Sequence, residues 1–234
     1  SYEKAEKYLK KITKETVYKV VKVSERKSNR KSSPPFTTST LQQDASTKLR
    51  FPVKKTMEVA QKLYEAGLIT YMRTDSTNLS QDAINSCKEY IIKNYDKKYL
   101  NSKNYVKKSK GAQEAHEAIR PTKLHLSDLN GKMDTYAQKL YELIWKRTMA
   151  SQMADAIINI QTIDIDLLNG EDSILPKKSK FVSKLENIDF DGFLKLYNTY
   201  NNENDSGYIK IKKDTLIDMK SITVSEEYTK PPLR

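Results

Sequence analysis

Two residues of complementary chemistry, Tyr71 and Arg73, stand two positions apart in Gly67-Leu68-Ile69-Thr70-Tyr71-Met72-Arg73-Thr74-Asp75-Ser76-Thr77. In an extended stretch side chains alternate, so both project to the same side. A tyrosine becomes a covalent nucleophile when the charge developing around it is stabilised. An arginine grips phosphate in a forked geometry. The pair therefore reads as a phenol that attacks a phosphodiester while a guanidinium holds the phosphate. The plainer alternative is structural. The chain has 15 tyrosines, most of them necessarily core or surface residues, and Thr/Asp/Ser runs commonly cap helices and fill turns. Asp75 or Ser76 is placed to cap a helix running through Gln81-Asp82-Ala83-Ile84.

Longer blocks decide between these readings. The segment GLITYMRTDSTNLS, residues 67–80, resembles the active-site signature of bacterial type IA DNA topoisomerases. PPFTTSTLQQDAS (34–46) and KKTMEVAQKLYEAG (54–67) precede it; QEAHEAIRPT (113–122) and AQKLYELIW (137–145) follow, in the family's order. Met72 resembles the topoisomerase I branch; the topoisomerase III branch more often carries proline there. Arg50 departs from the pattern, standing where the family commonly has glycine.

The resemblance implies a mechanism and also a division of labour. Tyr71 would link to the 5′-phosphate of a single-stranded DNA segment, the other strand would pass, and the 3′-hydroxyl would reseal the break. Mg²⁺ would be held by an acidic Toprim domain lying earlier in the family's chains. That domain needs a strand-borne Glu and a DxD pair, and nothing like it precedes residue 34. Asp164-Ile165-Asp166 and Asp189-Phe190-Asp191 are DxD pairs without a Gly-rich turn or partner Glu. The first falls in a long half-buried strand pattern, where aspartates most simply face solvent. No metal ligand is therefore assigned in this chain. The expected partners are single-stranded DNA and the remaining domains of the same enzyme.

Composition fits a nucleic-acid partner. The net charge is +12, with 42 Lys/Arg against 30 Asp/Glu. Residues 1–33 carry 11 basic against 4 acidic side chains, 34–154 carry 20 against 12, and 155–234 carry 11 against 14. The basic field covers the part holding Tyr71 and would attract phosphate; a solubilising lysine surface is the alternative. One cysteine, Cys87, and two histidines, His116 and His125, leave no disulfide and no His- or Cys-based zinc cluster. No apolar run approaches membrane-spanning length, and the charged start is unlike a signal peptide. A cytoplasmic protein without a membrane partner is expected, and an oligomer is not.

The elements that must hold Tyr71 in place are mostly helical. Residues 2–12 read as a short helix and 16–24 as a β-branched strand. Glu25 to Pro35 reads as a polar connector. Ser39 or Thr40 is placed to cap a helix through Ala45, and Pro52 opens another whose apolar stripe is Met57, Ala60, Leu63 and Tyr64. Gly67 ends that helix and releases the chain into the Tyr71 segment. A helix from 81 to 94, a polar loop over 97–110 and a long helix over 136–153 holding Trp145 follow. Strands are expected at 157–168, turning at Asn169-Gly170-Glu171-Asp172, at 208–212 and within 217–224. The fold class is α+β: a mainly helical tyrosine domain, residues 36–154, inserted into a β-rich arch domain made of 1–35 and 155–234.

His116 would support the phosphate through a hydrogen bond, as the resemblance implies, and completes the catalytic set with Tyr71 and Arg73. A helical turn over 115–121 would put His116 and Arg120 on one face. Arg120 grips a neighbouring phosphate, or else forms a salt bridge to Glu117 or a structural bond at the turn before Pro121. Thr70, Thr74, Asp75 and Gln42 complete the residues expected to meet DNA. Tyr64, Tyr141 and Phe36 are candidates for stacking bases or for the core. The resulting reading is a strand-cleavage and rejoining module, inactive on its own. The alternative is a non-catalytic single-strand-binding or structural module.

Overall fold

Strands and helices occupy different stretches of the chain, because β-branched alternation dominates its two outer parts and helical apolar spacing its middle. The computed structural model describes residues 2–105, 116–129, 131, 133–176, 179–197 and 209–225. The chain folds as two compact units. One comprises Ser1–Ser28, Ile157–Asp189 and Asn202–Arg234; the other comprises Asn29–Ala156 and Phe190–Asn201. The elements together make an α+β fold.

The first unit is a sheet with one short helix, α1 (Tyr2–Leu9). Its long strands are β1 (Val17–Arg30) and β2 (Ala156–Asn169). The order is β3-β2-β1-β5, where β3 is Asp172–Ser173 and β5 is Leu216–Ile217. A further strand, β4 (Phe181–Phe190), pairs with β2. β5 is antiparallel to β1, with Tyr18 opposite Ile217, and β3 is antiparallel to β2, with Leu168 opposite Ser173. Val20, Ile158, Ile163 and Leu167 are buried along the two long strands.

Three expectations for this unit change. The connector assigned to 25–35 is β-strand as far as Arg30, since sheet pairing supplies what the polar sequence lacks. Residues 209–212 alternate but form no strand, and Tyr208 lies outside the described residues. β5 is the two residues Leu216–Ile217, so only Ile217 of the expected 217–224 stretch is strand.

The second unit is built on α2 (Thr38–Asp44), α3 (Val53–Glu65), α4 (Gln81–Asn94) and α5 (Thr135–Ser151). α5 buries Ala137, Leu140, Tyr141, Ile144, Trp145, Thr148 and Met149 at i, i+3, i+4 and i+7 spacings. α3 opposes it with Thr56, Val59, Ala60 and Leu63. Each large apolar side chain so buried contributes about 1.5–3 kcal/mol. Trp145 anchors this core, its indole Nε1–H donating to the Leu124 carbonyl at 2.9 Å. Cys87 is fully buried in the same cluster. Burial pushes its thiol up to about 12, partly countered by the Arg120 charge.

The caps differ from those expected. Thr37, not Ser39 or Thr40, caps α2, through a reciprocal box with Thr40. Ser80, not Asp75 or Ser76, caps α4. Between α2 and α3 lies a π-turn (Ala45–Leu49), closed by Arg50 in the left-handed region at φ 60°. A glycine takes that conformation without steric cost, which makes sense of Arg50 as the position departing from the family pattern. Of the loop assigned to 97–110, Lys97–Tyr99 is a 3-10 turn and 106–110 lie outside the described residues.

Candidate active site

Tyr71 sits on backbone that is neither helix nor strand, so its geometry depends on what ties that backbone down. The tie begins at the end of α3. Leu68 N–H donates to Leu63 O at 2.9 Å and Gly67 N–H to Tyr64 O at 2.8 Å, with Gly67 at φ 68°. This is a Schellman ending, and the left-handed residue it requires is glycine. The chain then reverses and runs back beside residues 117–122.

Two bridges stitch the stretch together, Ile69 with Pro121 and Phe36 with Ile119. Thr70 N–H donates to Arg120 O at 2.9 Å, and Thr122 N–H to Leu68 O at 3.0 Å. Two threonine hydroxyls then flank Tyr71. Thr70 Oγ1 donates to Ala118 O at 2.7 Å and accepts from Arg120 N–H at 2.9 Å. Thr38 Oγ1 lies 2.8 Å from Met72 O as donor, and accepts from Thr74 N–H at 2.9 Å. Beneath them Ile69 and Met72 are each 1 % exposed. Burying Met72 turns its two neighbours outward, and Tyr71 is 50 % exposed, with Arg73 exposed as well.

Tyr71, Arg73 and His116 line one open pocket of about 400 Å³, together with Tyr64, Thr70, Thr74 and Glu117. The rings of Tyr64 and Tyr71 meet at 5.3 Å between centroids, inclined by 66°. His116 does not reach the pocket on a helical turn. Residues 116–121 are not helical, with Ile119 and Pro121 in the two bridges, and Gln113 to Ala115 lie outside the described residues.

Arg120 is held by its own neighbours. Its Nη2 donates to Glu117 Oε2 at 2.7 Å and its Nε to Glu117 Oε1 at 3.2 Å, while Nη1 reaches Pro121 O at 3.0 Å. Of the roles open to it in the sequence, the structure shows the ion pair with Glu117 and a bond at the turn to Pro121. Glu117 also accepts the Ser80 N–H at 2.6 Å, which ties the start of α4 to the pocket wall. Burial alone would raise the Glu117 carboxyl. The Arg120 and Ser80 hydrogen bonds and the Arg120 charge outweigh it and hold the group below its ordinary value. Arg73, by contrast, takes part in no ion pair among the described residues.

Most of the other sequence candidates fall outside this pocket. Asp75 is exposed and Gln42 is half-buried on α2; neither lines it. Phe36 and Tyr141 are core residues, 0 % and 1 % exposed. Tyr64 alone of the three candidate stackers reaches the pocket, at 40 % exposure. The tie from Thr38 to Met72 and Thr74, some 35 residues away, left no local signal. Among the described residues no group of three His, Cys, Asp or Glu side chains is arranged to hold a metal ion. The two DxD pairs are used in ordinary contacts: Asp164 with Lys180, Asp166 with Ser173, Asp189 with Lys27, and Asp191 with Tyr99. No helix among the described residues is long and apolar enough to cross a membrane.

The chain belongs to the DNA topoisomerase family, in its bacterial type IA branch, whose family model matches residues 1–234. It is 40 % identical to DNA topoisomerase 1 of Rickettsia bellii over 235 residues, covering 93 % of this chain and 28 % of that protein. It is 49 % identical to DNA topoisomerase 1 of Synechocystis over 182 residues, covering 76 % of this chain and 19 % of the relative. The full-length topoisomerase I structure from Thermotoga maritima matches with a TM-score of 0.74 and 32 % identity, over 90 % of this chain and 34 % of that one. The chain thus spans little more than a quarter of the length of the Rickettsia relative.

Proposed function

We propose that this chain is the strand-cleavage and rejoining module of a type IA topoisomerase, with Tyr71 as the nucleophile. The observation that carries the reading is the pocket that Tyr71, Arg73 and His116 line together. The Tyr71 hydroxyl oxygen attacks phosphorus, a P–O bond forms, and the bond from phosphorus to the 3′-oxygen breaks. The 3′-oxygen leaves with a proton as a free hydroxyl, and the 5′-phosphate stays on Tyr71. Rejoining is the same exchange in reverse, so the bond energy is conserved and no nucleotide is consumed. A free phenol titrates near pH 10, so attack at neutral pH needs help with the proton and with the charge on the phosphate. Arg73 offers a planar fork to the non-bridging oxygens, and His116 a hydrogen bond to a phosphate oxygen.

Mg²⁺, held by other domains of the whole protein, would supply charge neutralisation around the phosphate. The described residues offer no ligand set for it. The two compact units are read as the β-rich arch and the helical tyrosine domain inserted into it. Single-stranded DNA is the substrate, strand passage relaxes negative supercoils, and the site of action is cytoplasmic. Arg120, Thr70, Thr74, Asp75 and Gln42 remain proposed DNA contacts, with Arg120 and Thr70 also fixing the pocket wall.

The competing reading is a non-catalytic single-strand-binding module, favoured by the net charge of +12. A covalent-adduct assay separates the two. The whole-length protein is expected to form an adduct with a single-stranded oligonucleotide, and Tyr71→Phe to abolish it without unfolding the protein. The isolated chain is expected to relax no supercoiled DNA. Arg73→Lys is expected to slow adduct formation by about 10²-fold, since a point charge replaces a fork aimed at developing charge. An adduct on another tyrosine would overturn the assignment.

A further inference from the structure

We infer that Tyr64 is a positioning residue for Tyr71: its ring fixes the direction of the Tyr71 hydroxyl. The inference rests on the reading of Tyr71 as the nucleophile. Tyr64 occupies the last turn of α3, off the buried stripe of Thr56, Val59, Ala60 and Leu63. At 40 % exposure it lies outside the buried core. What it touches is Tyr71, ring to ring, at 5.3 Å and 66°. Edge-to-face contacts of this kind have a preferred geometry and not merely an area.

The need for such a contact follows from how Tyr71 is held. Hydroxyl and amide bonds fix the backbone on both sides of it, at Thr70 and at Met72 to Thr74. They leave χ1 and χ2 of Tyr71 free, and its side chain is half exposed. A phenol that must approach phosphorus in line cannot sample every rotamer without cost in rate. Tyr64 is carried by a helix whose Schellman ending returns the chain at the right place, so the restraint comes from a rigid element. Tyr64 does not itself touch the reacting atoms in this account.

The test uses the whole-length protein and single-turnover adduct formation on a single-stranded oligonucleotide, with Kd measured separately. Tyr64→Phe keeps the ring and is expected to react like the parent. Tyr64→Leu is expected to slow the saturating rate by roughly 10- to 100-fold with Kd unchanged, the scale of a misplaced reacting group. A thermal melt checks that Tyr64→Leu is folded. An unchanged saturating rate in Tyr64→Leu overturns the inference. So does a weakened Kd with the saturating rate retained, which would make Tyr64 a platform for a base. Tyr71→Phe runs alongside: an adduct persisting there defeats the nucleophile reading itself, and this inference with it.

Discussion

Glu117 is the residue whose partners reach furthest around the pocket, since it joins Arg120, the Ser80 amide and the pocket wall. Its carboxyl is held below the ordinary value, so the folded state binds its proton less readily than the unfolded chain does. The stability it contributes is present above the unfolded value near 4.3 and is lost as pH falls through the lower folded value. Thermal melts of the parent and Glu117→Gln should therefore differ at neutral pH, by roughly 1–2 kcal/mol of stability, and converge in acid. A gap that persists undiminished at low pH would exclude the ionised carboxylate as its source. Which of these side-chain facts was legible in advance depends on range. The outward pair Tyr71 and Arg73 around a buried Met72 follows from alternation over three residues. The commitment of Arg120 to Glu117 was one of three roles the sequence left open. The hydroxyl tie from Thr38 had no trace at all, because its partners are distant in the chain.

At the scale of elements, periodicity located what packing enforces. α4 runs from Gln81 to Asn94 as its spacing predicts, and the end of α3 at Gly67 follows from one glycine. β4 left no clear signal because its Phe181-Val182-Ser183-Lys184-Leu185-Glu186-Asn187 sequence is largely exposed and carries little apolar alternation. The second half of β1 is illegible for the same reason. Gly192 gives a sharper lesson in close approach. It opens a 3-10 turn at φ 49°, and an added Cβ would lie 2.5 Å from Ala154 O and 2.6 Å from Asp155 O. Backbone on the far side cannot yield as a flexible side chain would. Gly192→Ala is therefore expected to cost about 2–5 kcal/mol in a urea unfolding experiment, from left-handed strain plus overpacking. A loss within a few tenths would mean the two segments part readily.

For the molecule as a whole, charge and texture were legible and long-range pairing less so. A strand at the beginning without a local partner pointed to late strands, and β1 does lie between β2 and β5. Which residues of the late segment pair was not legible, since 209–212 has the better alternation and forms no strand. The basic excess is the property that DNA would sense first. A site meeting about four phosphates of single-stranded DNA should give a log–log salt slope of roughly −3. Tyr71→Phe is expected to leave that slope alone and Arg73→Ala to weaken binding. Salt-independent binding, or equal binding to an uncharged backbone analogue, would rule out an electrostatic footprint.

The stitching around Tyr71 has a kinetic side. The amides of Thr70, Thr74, Ala118, Ile119 and Thr122 all donate across the chain, to Arg120 O, Thr38 Oγ1, Asn78 O, Phe36 O and Leu68 O. A stretch outside helix and strand thus has few cheap ways to open, because its ties run among three separate segments, 36–38, 68–78 and 118–122. Freeing one tie leaves the rest in place, and freeing all of them disrupts the core beneath Ile69, Met72 and Ile119. Its opening belongs with the slow, cooperative fluctuations of the whole helical unit and not with the nanosecond motion of a surface loop. Under the role proposed for Tyr71, its backbone would be in place before any DNA arrives, and encounter would not have to wait for it to order.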